Sequence, residues 1–216
     1  MTGRIFTADH QVYDLPPLLA WNVKHTGTVP CDSWSVTAVY KAEMAPVLKL
    51  AAGFAAMENG TVQLRGIVDE YEVELGDGGL TVTLSGRGYA ARLLDNESRP
   101  VTYEQVTLRE LIRCHAEPYG ITCGAAADLR STVPYTAGAG VSQWKVISEF
   151  CRTCGGFLPR FAKTGELLAV PEKDDGKRIV IDDSSPVLEC RIREDHYGVL
   201  TEALVIDKRQ NISYSV

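Results

Sequence analysis

The sequence predicts an α+β protein that is mainly β. We expect a tube-like antiparallel β-barrel domain over residues 1–97, a small α/β domain with two helices on a hairpin over 98–175, and the start of a second, partial β-barrel over 176–216. Three observations predict it. Apolar and polar residues alternate with period two through most of the first domain, broken by glycine-containing turns. Two segments in the middle carry apolar residues at spacings of three and four, each with a start signal and a stop signal. Beyond the charged run Glu172-Lys173-Asp174-Asp175-Gly176-Lys177 the chain returns to short β runs.

Leu18-Leu19-Ala20-Trp21-Asn22-Val23 is an apolar segment separated by Gly27 and Pro30 from a clear strand, in which Trp34, Val36, Ala38 and Tyr40 alternate with Ser35, Thr37 and Val39. Val47 to Ala56 is rich in alanine, and its context favours a strand, because Glu58-Asn59-Gly60 follows. Asn-Gly supplies the positive φ angles of a tight hairpin turn. The return strand runs from Thr61 to Leu75, with Gly66 marking a bulge or bend. In its second half Tyr71, Val73 and Leu75 alternate with Glu70, Glu72 and Glu74, which gives one apolar face and one carboxylate face. Gly76-Asp77-Gly78-Gly79 turns the chain into a strand carrying Leu80, Val82 and Leu84 on one side and Thr81, Thr83 and Ser85 on the other.

Tyr89 to Leu94 fits one or two helical turns, and Asn96 to Thr102, with Pro100, is a connection. Thr107-Leu108-Arg109-Glu110 is a capping box that starts a helix with Leu108, Leu111, Ile112 and His115 on one face. Pro118-Tyr119-Gly120 ends it. A second helix begins near Ser142, carries Trp144, Ile147, Phe150, Cys151 and Cys154 at spacings of three and four, and stops at Gly155-Gly156. Phe157 to Phe161 and Glu166 to Val170, joined by Lys163-Thr164-Gly165, form the hairpin beneath these helices. Arg178 to Asp182, Val187 to Glu194 and Leu200 to Asp207 are the β runs of the third segment. Trp34 is expected in the barrel core, and Trp144 and Phe150 in the core of the α/β domain.

Lys plus Arg number 22 and Asp plus Glu 28, so the formal charge is −6. Scattered acidic charge disfavours tight binding to nucleic acid or anionic membranes. No apolar run reaches the roughly 20 residues that cross a bilayer. The opening residues lack the apolar stretch and cleavage site of a signal peptide, so the reading is a soluble protein made in the cytosol. Its six cysteines, at 31, 114, 123, 151, 154 and 190, are then expected to be reduced and mostly buried as small hydrophobes.

Cys151-Arg152-Thr153-Cys154 has the spacing of a redox pair or half a zinc site. A redox pair sits at a helix N-terminus, where the dipole favours thiolate; this one lies at a helix C-terminus. A zinc site would need further ligands from Cys114 with His115, or from Cys123, yet Cys114 and His115 are adjacent on a helix and diverge. Core packing is the favoured reading, and no metal is expected to copurify. The histidines at 10, 25, 115 and 196 show no ligand spacing. Ser85-Gly86-Arg87-Gly88 lacks the lysine and glycine spacing of a phosphate loop and reads as a strand-to-helix turn. The stripe Asp69, Glu70, Glu72, Glu74 reads as a solvated sheet face rather than a hydrolytic carboxylate pair. No catalytic, cofactor-binding or metal-binding set emerges.

Gly66-Ile67-Val68-Asp69-Glu70-Tyr71, followed by a strand and Leu84-Ser85-Gly86-Arg87-Gly88-Tyr89-Ala90-Ala91-Arg92-Leu93-Leu94-Asp95, resembles the phage tail baseplate hub family: late control protein D, Mu-type hubs and prophage tail hub proteins. Thr107 to Ile112 with Tyr119-Gly120-Ile121 resembles that family's first helix. Gln143 to Phe150 with Gly155-Gly156-Phe157 resembles its second helix and the following strand, and Gly165-Glu166-Leu167-Leu168 the hairpin's return. The resemblance covers roughly residues 60–170.

It implies a non-enzymatic virion component of a contractile or long tail, assembled in the bacterial cytoplasm. Such a hub is a homotrimer that joins the tail tube to the central spike, with baseplate wedge and tape-measure proteins as further partners. Arg178 to Val216 is shorter than the family's second barrel, which leaves an open sheet edge. The chain alone is therefore expected to be a monomer or weak trimer, stabilised by a complete second barrel or bound partners. The alternatives are a tail-tip cell-wall hydrolase and an unrelated soluble binding module.

Overall fold

The computed structural model describes residues 1–27, 30–174, 176–178, 180–182, 186, 189, 191, 193 and 194, and the backbone of 204–207 and 212–215. The chain divides into two units, Met1–Lys173 and Asp174–Val216.

The first unit begins with seven strands: β1 (Thr2–Thr7), β2 (Val12–Asp14), β3 (Leu18–Lys24), β4 (Ser33–Val39), β5 (Ala51–Glu58), β6 (Thr61–Gly76) and β7 (Gly79–Gly88). They form one antiparallel sheet in the order β2-β1-β5-β6-β7-β4-β3. No ladder joins β2 to β3 among the described residues. The β5–β6 turn has Asn59 and Gly60 at φ 50° and 76°, the positive values that the Asn-Gly pair predicts.

Ile5, Trp34, Val36, Phe54, Leu64, Val82 and Leu84 belong to one buried cluster. Strands β4 and β5 are three ladder steps apart, roughly 14 Å on a flat sheet at about 4.8 Å per step. Yet the rings of Trp34 and Phe54 stack with centroids 3.8 Å apart. Glycines make this possible. Trp34 pairs with Gly86 and its ring lies against that position, which has no side chain, while the Phe54 ring lies against Gly3 of β1, where a Cβ would come within 3.0 Å of it. A Cβ on Gly86 would lie 2.9 Å from the Trp34 ring and collide with the Ile67 carbonyl. The indole Nε1 donates to that same carbonyl at 3.1 Å.

Two expectations for the sheet are corrected. Val47 to Ala56 is not one strand: a short helix, α1 (Ala45–Lys49), with Pro46 in its first turn, precedes β5 and buries Leu48 in the core. Neither register shift of β6 falls at Gly66, whose role is close backbone approach, since a Cβ there would strike the Arg87 carbonyl. The register against β7 shifts between Val68 and Glu70. The inserted residue, Asp69, moves the inward set from Leu64, Gly66 and Val68 to Tyr71, Val73 and Leu75.

The same unit continues through α2 (Ala91–Leu94), β8 (Val101–Tyr103), α3 (Leu108–His115), β9 (Cys123–Ala126), β10 (Tyr135–Ala137), α4 (Gln143–Gly155), β11 (Arg160–Phe161) and β12 (Leu167–Ala169). Strands β11 and β12 are the expected hairpin. Strand β9 joins it in parallel, and β8 pairs with β10; neither pairing was expected, because these strands are short and made largely of small or polar residues. Leu108, Leu111 and Ile112 of α3 meet Val146, Ile147 and Phe150 of α4 in a second buried cluster.

Trp144 is corrected to half-buried; Gln143 and Val146 take the buried positions in that turn. The cysteine expectation is also corrected. Cys151 is buried and Cys31 half-buried, whereas Cys114, Cys123 and Cys154 are exposed. Leu111, Ile112 and His115 fill the inner face of α3, which leaves Cys114 on its solvent side.

In the second unit, β13 (Leu204–Asp207) and β14 (Ile212–Ser215) form an antiparallel pair. The β run expected over 178–182 is not seen at 178 and 180–182, which carry no regular structure. The run expected over 187–194 falls largely outside the described residues, as do Cys190, His196 and residues 200–203 of the last run.

Candidate functional site

Asp69, Arg87 and Asp95 come together where the sheet hands over to the helices. Asp69 is the bulge residue of β6, and Arg87 lies near the end of the neighbouring strand β7. The Arg87 guanidinium donates to both Asp69 carboxylate oxygens, at 2.8 and 3.0 Å, and to both Asp95 oxygens, at 3.1 and 2.9 Å. Asp95 caps the C-terminus of α2. One planar fork thus ties β6, β7 and α2 together, with the bidentate geometry that a lysine would not provide. Hydrogen bonds donated to Asp69 and then to Asp95 push the Arg87 pKa further up, so its charge is permanent. Burial pushes the nearby Cys31 thiol up, and Arg87 partly opposes this.

A second polar network lies between α3 and α4. The capping box holds α3 in place: Glu110 N–H donates to Thr107 Oγ1 at 3.3 Å, and Thr107 N–H donates to Glu110 Oε2 at 2.8 Å. This sets the phase that turns His115 inward. Gln143 Nε2 donates to the Glu97 carbonyl at 3.0 Å and the Tyr119 hydroxyl at 2.8 Å. Its Oε1 therefore accepts from His115 Nδ1, 2.6 Å away. Ring Nε2 and the Tyr103 hydroxyl share a hydrogen bond of 3.0 Å. With both ring nitrogens engaged and the residue buried, His115 braces packing and has no free nitrogen to offer a substrate. Gln143 is the member that sequence reasoning missed. Its place beside the Ser142 N-cap put it on no apolar stripe, and only the fold gives it His115 and Tyr119.

Cys151 is buried and Cys154 exposed. Burial raises the Cys151 thiol to about 12, and Cys154 is pushed in the same direction. Both thiols sit in the last turns of α4, far from its N-terminus. Among the described residues, no group of three or more His, Cys, Asp or Glu side chains is placed to hold a metal ion. Asp69 is in the Arg87 clamp, whereas Glu70, Glu72 and Glu74 are exposed on the outer face of the β6–β7 hairpin.

A cleft of about 260 Å³ opens between the sheet and the helical part, with Arg65 and Asp32 on one side and Tyr89, Trp144 and Phe161 on the other. Tyr89 packs against Gly165, and Lys163 Nζ donates to Gln63 Oε1 at 2.8 Å across the same boundary. No helix among the described residues is long and apolar enough to cross a membrane.

This arrangement matches solved structures along its whole length. A tail protein from Neisseria meningitidis MC58 superposes with a TM-score of 0.72 at 14% identity, covering 100% of this chain and 66% of that one. The 43 kDa tail protein of prophage MuSo2 from Shewanella oneidensis superposes at 0.69 and 17% identity, covering 100% and 68%. The chain shares the fold of these tail proteins. It spans about two thirds of the length of each. No protein-family model matches the sequence, and no curated protein matches it either.

Proposed function

We propose that this chain is a structural component of a phage-type tail and acts as its central baseplate hub, a homotrimer that joins the tail tube to the spike. The observation that carries the reading is the likeness of the whole chain to two tail proteins. The Asp69–Arg87–Asp95 clamp supports it, since three residues of the stretch resembling the hub family hold the junction of sheet and helices. In this reading the protein works through its surfaces, contacting tube, spike, wedge and tape-measure proteins, and carries out no chemistry. Assembly places it in the virion tail.

The experiment is electron microscopy of purified tails from the producing strain, with mass spectrometry to count copies. Three copies per tail at the junction of tube and spike are expected. Tails that lack the protein, or that carry it away from that junction, would overturn the hub assignment.

A further inference from the structure

Strand β5 follows β6 only as far as Ile67, which pairs with Gly53. Beyond that point, from Asp69 to Gly76, β6 pairs among the described residues with β7 alone. Its other edge is an unpaired row of backbone groups along a segment in which every residue is exposed. Such an edge is a template for another strand.

Its two faces differ in chemistry. Tyr71 and Val73 stand opposite Leu84 and Val82, which are buried in the core. They therefore continue the core face outward, yet they are 42% and 40% exposed, and Leu75 at the tip is 78% exposed. On the other face Glu70 aligns with Ser85 and Ser35, Glu72 with Thr83 and Thr37, and Glu74 with Thr81 and Val39. Ser85 donates to Glu70 at 3.0 Å. Among the described residues, no lysine or arginine pairs with Glu70, Glu72 or Glu74.

We propose that the distal edge of β6, from Asp69 to Gly76, is a docking site for an extended partner strand in which basic residues alternate with apolar ones. An added strand satisfies the free backbone groups. Its period of two sends apolar side chains toward Tyr71, Val73 and Leu75, and lysines or arginines toward the three glutamates. A helix would leave the edge unpaired, and an acidic strand would set like charges side by side. At about 3.4 Å per residue, a strand of about eight residues matches the open segment. The inference stands on the sheet alone and holds whether or not the chain is a tail hub.

The test uses the full chain and an eight-residue peptide alternating lysine and valine, followed by fluorescence anisotropy. Saturable binding is expected, weakened at least tenfold in Glu72→Lys/Glu74→Lys. A glutamate–valine peptide should not bind. Two further lysine–valine peptides, N-methylated on one or the other set of alternate amides, separate strand addition from simple charge attraction. One should lose binding and the other keep it, because a docked strand uses only every second amide. Equal binding by both methylated peptides, or binding by the glutamate–valine peptide, overturns the proposal. So does self-association of the chain that the lysine–valine peptide fails to reverse, which would make a second copy the occupant.

Discussion

Trp34 and Trp144 lie on comparable apolar stripes, yet they face different surroundings. Trp34 is stacked on Phe54 and hydrogen-bonded through its indole, whereas Trp144 sits half-exposed against Phe161 on the wall of a cleft. Trp34→Ala should cost about 3–5 kcal/mol in urea unfolding, in the range for a buried aromatic. Trp144→Ala should cost less than about half of that, and equal losses would contradict this placement. The thiols give a second prediction at this scale. Burial holds Cys151 protonated up to about 12, against an ordinary value of 9.0. The folded chain therefore keeps a proton there that the unfolded chain releases, so stability falls as pH rises from about 9 toward 12. The phenol of Tyr135, also raised to about 12 by burial, acts in the same direction. Thiol labelling at neutral pH should modify Cys114, Cys123 and Cys154 in the native protein and spare Cys151 until unfolding. Early labelling of Cys151 would place it at the surface.

At the scale of elements, helix starts are set locally and strand partners are not. Thr107 and Glu110 satisfy each other's backbone groups without help from the rest of the chain, and Ser142 accepts from Lys145 N–H at 3.2 Å. Thr107→Ala should destabilise the protein by about 1 kcal/mol, read as a lower denaturation midpoint with an unchanged slope. The backbone hydrogen bond from Thr107 holds the Glu110 carboxyl below its usual value. The reciprocal arm of the cap is thus present above the ordinary carboxylate range and lost as pH falls through the folded value. If the Thr107→Ala penalty is the same well below that range as at neutral pH, the carboxylate is not part of the cap. Strand β6 is the contrasting case. Its alternation shows where residues point, but the bulge at Asp69 is fixed by register against β7.

At the scale of the molecule, both buried clusters lie within Met1–Lys173, one built from residues between Ile5 and Leu84 and the other from residues between Leu93 and Ala169. A fragment ending at Lys173 should therefore unfold cooperatively, with a midpoint within about 4 °C of the full chain, the order of shift that 1 kcal/mol produces in a domain of this size. A drop well beyond that in calorimetry would mean that residues 174–216 support the core of the first unit.

Features that depend on neighbours within a few positions are readable from the chain order alone. The alternation of β4 and β7, the Asn59-Gly60 turn, the two capped helices and the β11–β12 hairpin are all legible there, because period, turn chemistry and caps are short-range properties. The candidate site was legible only as residue types. Asp69, Arg87 and Asp95 lay within the stretches that resemble the hub family, and His115 was a residue on an apolar face. Only the tertiary structure decided that Arg87 grips two carboxylates and that Gln143 orients His115. It also decided that Trp34 stacks on Phe54 across three ladder steps, and that β6 outruns β5 and leaves an open edge. These are contacts between residues far apart in the chain, and they depend on ladder register and sheet curvature, which no local pattern encodes.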